Sequence, residues 1–210
     1  MASVGLLFVG AVLFINGMML LGKVDARSAA VFNLFVGSIQ VLTPTYLIFI
    51  ANNDPRAILA ASGIYLFGFT YLYVGIGLLV GLDSTGVGYY SLFVAIVALG
   101  YSFINFHILK DNPFGVIWLY WAFLWFLFFL LLGLKKDSLT VYTGWVTAIE
   151  GWVTGVIPAA LLLGGYWTHP DETAIALGAF AVVVFGALWP LTRATRHPAP
   201  TPSAGLSAST

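Results

Sequence analysis

Fifteen of the sixteen acidic and basic side chains in this chain fall into seven short groups, and the stretches between groups are uncharged. The groups are Lys23, Asp25 and Arg27; Asp54 and Arg56; Asp83; Lys110 and Asp111; Lys135, Lys136 and Asp137; Asp171 and Glu172; Arg193 and Arg196. Each intervening stretch reaches or exceeds the roughly 20 residues that a helix needs to cross a ~30 Å hydrocarbon layer. The pattern predicts spans near 3–22, 29–51, 57–81, 88–108, 114–134, 141–164 and 173–191. These runs are too long and too uniformly apolar for barrel strands, and helices satisfy their own backbone in lipid. The expected fold is an all-α integral membrane protein of seven transmembrane helices.

Composition agrees. Hydrophobic residues are 60% of the chain and charged residues 8%, against about 25% charged in soluble domains. So few polar side chains cannot cover a soluble globule, so the partner is a lipid bilayer. Net charge is zero, which leaves no basic stripe for nucleic acid. The absence of cysteine excludes disulfides, thiolate nucleophiles and Cys-rich metal sites together.

Basic residues in short loops set orientation. The loops after spans one, three and five, with the C-terminal tail, hold six: Lys23, Arg27, Lys135, Lys136, Arg193 and Arg196. The other side holds Arg56 and Lys110. This predicts an outside N-terminus and a cytoplasmic C-terminus. Span one lacks a basic leading segment, so it reads as a retained helix rather than a cleaved signal. A membrane domain over 1–192 and a disordered tail over 193–210, rich in Pro, Ser, Ala and Thr, are expected.

Three segments resemble one another: LLGKVDARSAAVFNLFVG from Leu20, LVGLDSTGVGYYSLFVA from Leu79 and LLGLKKDSLTVYTGWVTA from Leu131. Phe35, Phe93 and Trp145 recur 58 and then 52 residues apart. All three turns fall on one side of the membrane, so the repeats are parallel. The implied architecture is three two-helix hairpins (about 3–51, 57–108 and 114–164) around a protomer pore, with the helix at 173–191 added outside. Gly22, Gly81 and Gly133 suit helix C-caps and Asp25, Asp83 and Asp137 suit caps or turns, which accounts for these acids better than chemistry does.

Candidate path residues lie within the spans. Trp118, Trp121 and Trp125 stand at i, i+3 and i+7 on one helical face. In span three, Tyr65, Phe69 and Tyr73 form a second stripe. The sixteenth charge, Glu150, sits about ten residues into span six, where a carboxylate costs ~2.5 kcal/mol or more unless paired or wetted. No span contains Lys or Arg to pair with it. It is protonated, hydrogen-bonded by Trp, Tyr, Asn or Gln, or facing water. Asn16, Asn33, Gln40, Thr70, Asn105 and Thr154 are further polar groups in the spans. Pro44 and Pro158 would free backbone carbonyls. His107 and His169 read as solvated, and no metal or cofactor site is indicated.

A retinal protein needs a Lys in its last span, and none is present. No phosphate loop, nucleophile elbow or zinc helix appears, so enzyme activity is unsupported. A path with one acid and no fixed cation suits a small neutral polar solute.

Longer motifs carry a resemblance: NGMMLLGKVDARSAAVFNLFVG from Asn16, LFGFTYLYVGIGLLVGLD from Leu66, YYSLFVAI from Tyr90, IWLYWAFLW from Ile117, and AIEG with VIPA between Ala148 and Ala159. Over the chain up to about Leu163, these make it similar to the acid-activated urea channel and amide transporter family. The resemblance implies a homo-hexamer in the bacterial cytoplasmic membrane with one pore per protomer. It implies a constriction lined by Leu6, Leu13, Phe69, Tyr73, Trp118, Trp121, Leu124 and Trp125, with Glu150 as pore carboxylate. Acid-gated members resemble one another in long His-bearing outer loops, whereas ANNDPRA and LKDNPFG here are short and lack His, so the amide-permease branch fits better. The expected function is passive permeation of urea and short aliphatic amides such as acetamide. The alternative is a proton-coupled amide transporter with Glu150 as proton carrier.

Overall fold

The computed structural model describes residues 2–194, so the expected tail falls outside the described residues beyond its first two positions. Seven helices follow the charge map: α1 (Ala2–Leu20), α2 (Ala26–Phe49), α3 (Pro55–Val80), α4 (Thr85–Leu109), α5 (Asn112–Gly133), α6 (Asp137–Gly164) and α7 (Pro170–Thr192). Among the described residues there is no strand.

The charged turns act locally as caps. Asp25 accepts from the Ser28 backbone N–H at 3.0 Å and Asp111 from that of Phe114 at 3.1 Å, opening α2 and α5. Asp83 accepts from the Thr85 backbone N–H at 2.8 Å and from its hydroxyl. Gly22 and Gly81 take the left-handed conformation after α1 and α3, with φ of +70° and +72°. The third repeat departs from this pattern. Gly133 stays inside a π-helical turn, Phe129–Gly133, and Lys135 takes the positive φ instead, at 53°. At this turn Gly88 of α4 lies directly against the Gly133 backbone, with no room for a Cβ on Gly88. The Lys135 ammonium then reaches Asp83 Oδ2 and Ser84 Oγ, both at 2.9 Å. That bond holds the Asp83 carboxyl below its usual range.

Three hairpins are present in chain order, but the tight seams run between them. α2 packs along α3, α4 along α5, and α6 returns to α1, closing a ring of six helices. At the closing seam a Cβ on Gly10 would sit 2.5 Å from the Gly151 carbonyl oxygen, so only glycine permits that approach. Within the first hairpin, Asn16 and Asn33 bind reciprocally, at 3.0 and 2.7 Å. α7 stands outside the ring against α5 and α6.

Glu150 ends the first part of α6, and a π-helical turn, Gly151–Val156, follows it before Pro158. Proline has no N–H to give to the preceding turn, and π-helical turns occur mostly as single bulges inside α-helices, frequently at functional sites.

Candidate permeation path

Two cavities lie inside the ring. One of about 350 Å³ opens toward the end of the bundle that holds Ala2 and is bordered by Leu6, Gln40, Asn105, Asp111, Trp118 and Trp121. The other, of about 120 Å³, lies toward the opposite end and is bordered by Leu13, Asn16, Tyr71, Asp83, Leu124 and Trp125. No residue lines both.

Aromatic rings separate them. Trp118, Trp121 and Trp125 are all buried, as a single inward face of α5 requires. Phe67 on α3 is the hub of this cluster. Its ring meets Trp121 edge-to-face at 4.6 Å and Trp125 at 4.8 Å, the geometry aromatic quadrupoles favour. Trp118 continues the cluster, at 4.9 Å from Trp121, and stacks on Tyr101 at 4.6 Å.

Most predicted site residues converge here. Leu6, Trp118 and Trp121 border the larger cavity, and Leu13, Leu124 and Trp125 the smaller. Tyr73 reaches the margin of the smaller cavity but is 38% exposed. Phe69 requires a correction. It is 51% exposed on the outer surface of α3 and stacks on Tyr65 at 5.7 Å, away from both cavities. Phe67 occupies the position expected of it, and Tyr71 is the buried tyrosine one turn further on, at 2% exposure. Two residues rotate a helix by about 200°, so the inward Phe–Tyr pair is the one two positions earlier.

Glu150 is completely buried, and neither carboxyl oxygen has a hydrogen-bonding partner in the protein. The Tyr71 hydroxyl and Thr143 Oγ1, on the same helix as Glu150 and two turns before it, share that condition. Buried groups of this kind are normally satisfied. Hydroxyls can donate and accept, and a carboxyl accepts in either protonation state; of the three, Tyr71 borders the smaller cavity, while Glu150 and Thr143 line neither. Tyr71 and Thr143 escaped the sequence reading. The Phe–Tyr spacing that flagged Phe69 and Tyr73 is repeated at Phe67 and Tyr71, and a threonine in a span carries little signal alone.

Near the larger cavity, Asp111 is pulled two ways: burial raises its carboxyl, and the Phe114 N–H opposes that rise. His107 rests against Phe103 at 4.4 Å, and His169 lies at the surface 4.0 Å from Glu172. Neither borders a cavity.

A family model described as AmiS/UreI family transporter matches residues 1–166. The chain belongs to the AmiS/UreI family of transporters. It is 54% identical to a putative transporter protein AmiS2 of Rhodococcus erythropolis, over 88% of this chain and 90% of that one. It is 50% identical to a putative amidate substrates transporter protein of Mycolicibacterium smegmatis across the full length of both. An acid-activated urea channel of Helicobacter pylori shares 34% identity over 80% of this chain and all of that one. The crystal structure of the urea channel from that organism superposes with a TM-score of 0.72 at 36% identity, over 80% of this chain and all of that one. AmiS/UreI proteins are transporters, and the seven long apolar helices make this chain a multi-pass membrane member of that family. The residues matched by the family model end before α7.

Proposed function

We propose that the protein is a passive channel for urea and short aliphatic amides, one path per protomer of a homo-hexamer, with its N-terminus outside the cell. The observation that carries this is the pair of cavities inside the ring, separated by Phe67, Trp121 and Trp125, with the carboxyls of Asp111 and Asp83 at their borders and no Lys or Arg among the residues lining either. A planar amide fits between flat rings while its N–H groups find the Glu150 carboxyl and the Tyr71 hydroxyl. Tyr71 takes the part that the sequence suggests for Tyr73. Anions meet no counter-charge, and cations lose a hydration shell that aromatic walls do not replace. The relatives named for amides and for urea support this choice of solutes.

The test is purified protein in liposomes, followed by stopped-flow light scattering with urea, acetamide and propionamide. Flux should be downhill, should saturate weakly, and should persist in Glu150→Gln with an altered rate. Acetamide accumulated against its gradient when an inward proton gradient is imposed, and lost in Glu150→Gln, would establish the proton-coupled alternative instead.

A further inference from the structure

We propose that Thr70 and Thr154 are positioning residues that set which solutes the aromatic constriction admits, by fixing the rings of Trp125 and Trp121. This rests on the reading of the path as a conduit for small neutral solutes.

Trp121 and Trp125 lie one turn apart on α5, and each indole has a single N–H donor. Their donors are directed to opposite neighbours. Trp121 Nε1 donates to Thr154 Oγ1 on α6 at 3.0 Å, and Trp125 Nε1 donates to Thr70 Oγ1 on α3 at 3.2 Å. Each threonine hydroxyl in turn donates to the carbonyl four residues earlier, Glu150 O and Leu66 O, both at 2.7 Å. That bond spends the hydroxyl proton and turns a lone pair toward the indole. The β-branch of threonine limits rotation about χ1, so the acceptor is fixed by its own helix.

Neither indole N–H is free for a passing solute, so the tryptophans act as walls while Tyr71, Thr143 and Glu150 retain free hydrogen-bonding capacity. The planes that meet Phe67 at 80° and 79° are held at those angles from two sides of the ring. Thr154 lies in the π-helical turn that begins after Glu150 and hangs from the Glu150 carbonyl, so the ring of Trp121 and the acid share one support. Thr70 borders the smaller cavity, yet its hydroxyl serves the wall.

The decisive comparison uses Thr154→Val and Thr154→Ser, with the same pair at Thr70, in liposomes. Valine keeps the shape and removes the acceptor, whereas serine restores it. The measured quantity is the permeability ratio across urea, acetamide, propionamide and butyramide. A lost hydrogen bond at a ring wall should move that ratio by roughly fivefold in the valine variants, while serine variants return toward wild type. In a Trp121→Phe background, which has a ring and no N–H, adding Thr154→Val should change nothing further. Indole ¹⁵N–¹H spectra should show the Trp121 signal displaced in Thr154→Val and restored in Thr154→Ser. An unchanged ratio in both valine variants overturns the proposal, as does an equal change in serine and valine. If wild type passes none of these solutes, the conduit reading fails, and the indole signals still test the hydrogen-bonded lock on its own.

Discussion

Phe67 and Phe69 are two residues apart in an apolar helix, and one faces the path while the other faces out. Replacing Phe67 with Ala removes the ring that separates the cavities, so urea permeability should change by roughly tenfold and discrimination against butyramide should weaken, as expected when a buried aromatic is deleted. Phe69→Ala should leave both within about twofold, because surface positions are usually neutral. Stopped-flow flux on the two variants checks this, and an equal response would return Phe69 to the path. Glu150 and the tryptophans were legible in the sequence because a lone charge in an apolar span and a periodic run of indoles are rare. The Phe–Tyr pair was ambiguous, since 67/71 and 69/73 have equal spacing and α3 is apolar on every face. Hydropathy cannot separate a path-facing ring from a lipid-facing one.

Among the elements, α7 is the addition to the ring, and its attachment is specific. The Tyr120 hydroxyl of α5 donates to Leu177 O at 2.5 Å, and the Tyr142 hydroxyl of α6 to Phe185 O at 3.2 Å. At the α5 start, Asn112 donates to Asp171 at 2.8 Å. Phe185 also stacks on Phe123 at 5.8 Å. Much of the remaining surface of α7 is exposed, with Val182 at 77% and Ile175 at 73%. Hydrogen bonds between membrane helices contribute only about 0.6 kcal/mol on average and up to ~1.7. Tyr120→Phe with Tyr142→Phe should therefore lower unfolding stability in detergent by about 1–3 kcal/mol, while urea flux stays at the wild-type level. A strong loss of flux at unchanged stability would make α7 part of the path instead. The charge groups were sufficient to place this helix, and the three-fold repeat, which leaves it over, put it outside the hairpins. Its anchoring tyrosines were not legible, because Tyr120 lies on the same aromatic-rich helix as the Trp face, and nothing in the spacing says which neighbour it meets.

For the whole molecule, the repeat reveals three hairpins but not which surfaces join. The seams lie between hairpins because small residues permit closest approach there, as Gly10 against Gly151 and Gly88 against Gly133 illustrate. Such contacts depend on two distant glycines meeting, which a periodic pattern along one helix cannot disclose. Orientation, by contrast, is encoded in loop charge. Lys23, Arg27, Lys135 and Lys136 occupy one end of the bundle, and Arg56 and Lys110 the other. Basic loop residues are retained on the cytoplasmic side, which predicts that the larger cavity faces outward. The native chain has no cysteine, so single-cysteine labelling reads this directly. Ala26→Cys and Ala57→Cys leave every charge in place and lie exposed at opposite ends. In intact cells, a membrane-impermeant maleimide should label the cysteine at 57 and spare the one at 26, which should react only after the membrane is opened. Reversed labelling would invert the path, placing the Asp111 cavity in the cytoplasm. Equal labelling of both positions in intact cells would mean that the chain inserts in both directions and that six basic residues against two do not decide its topology.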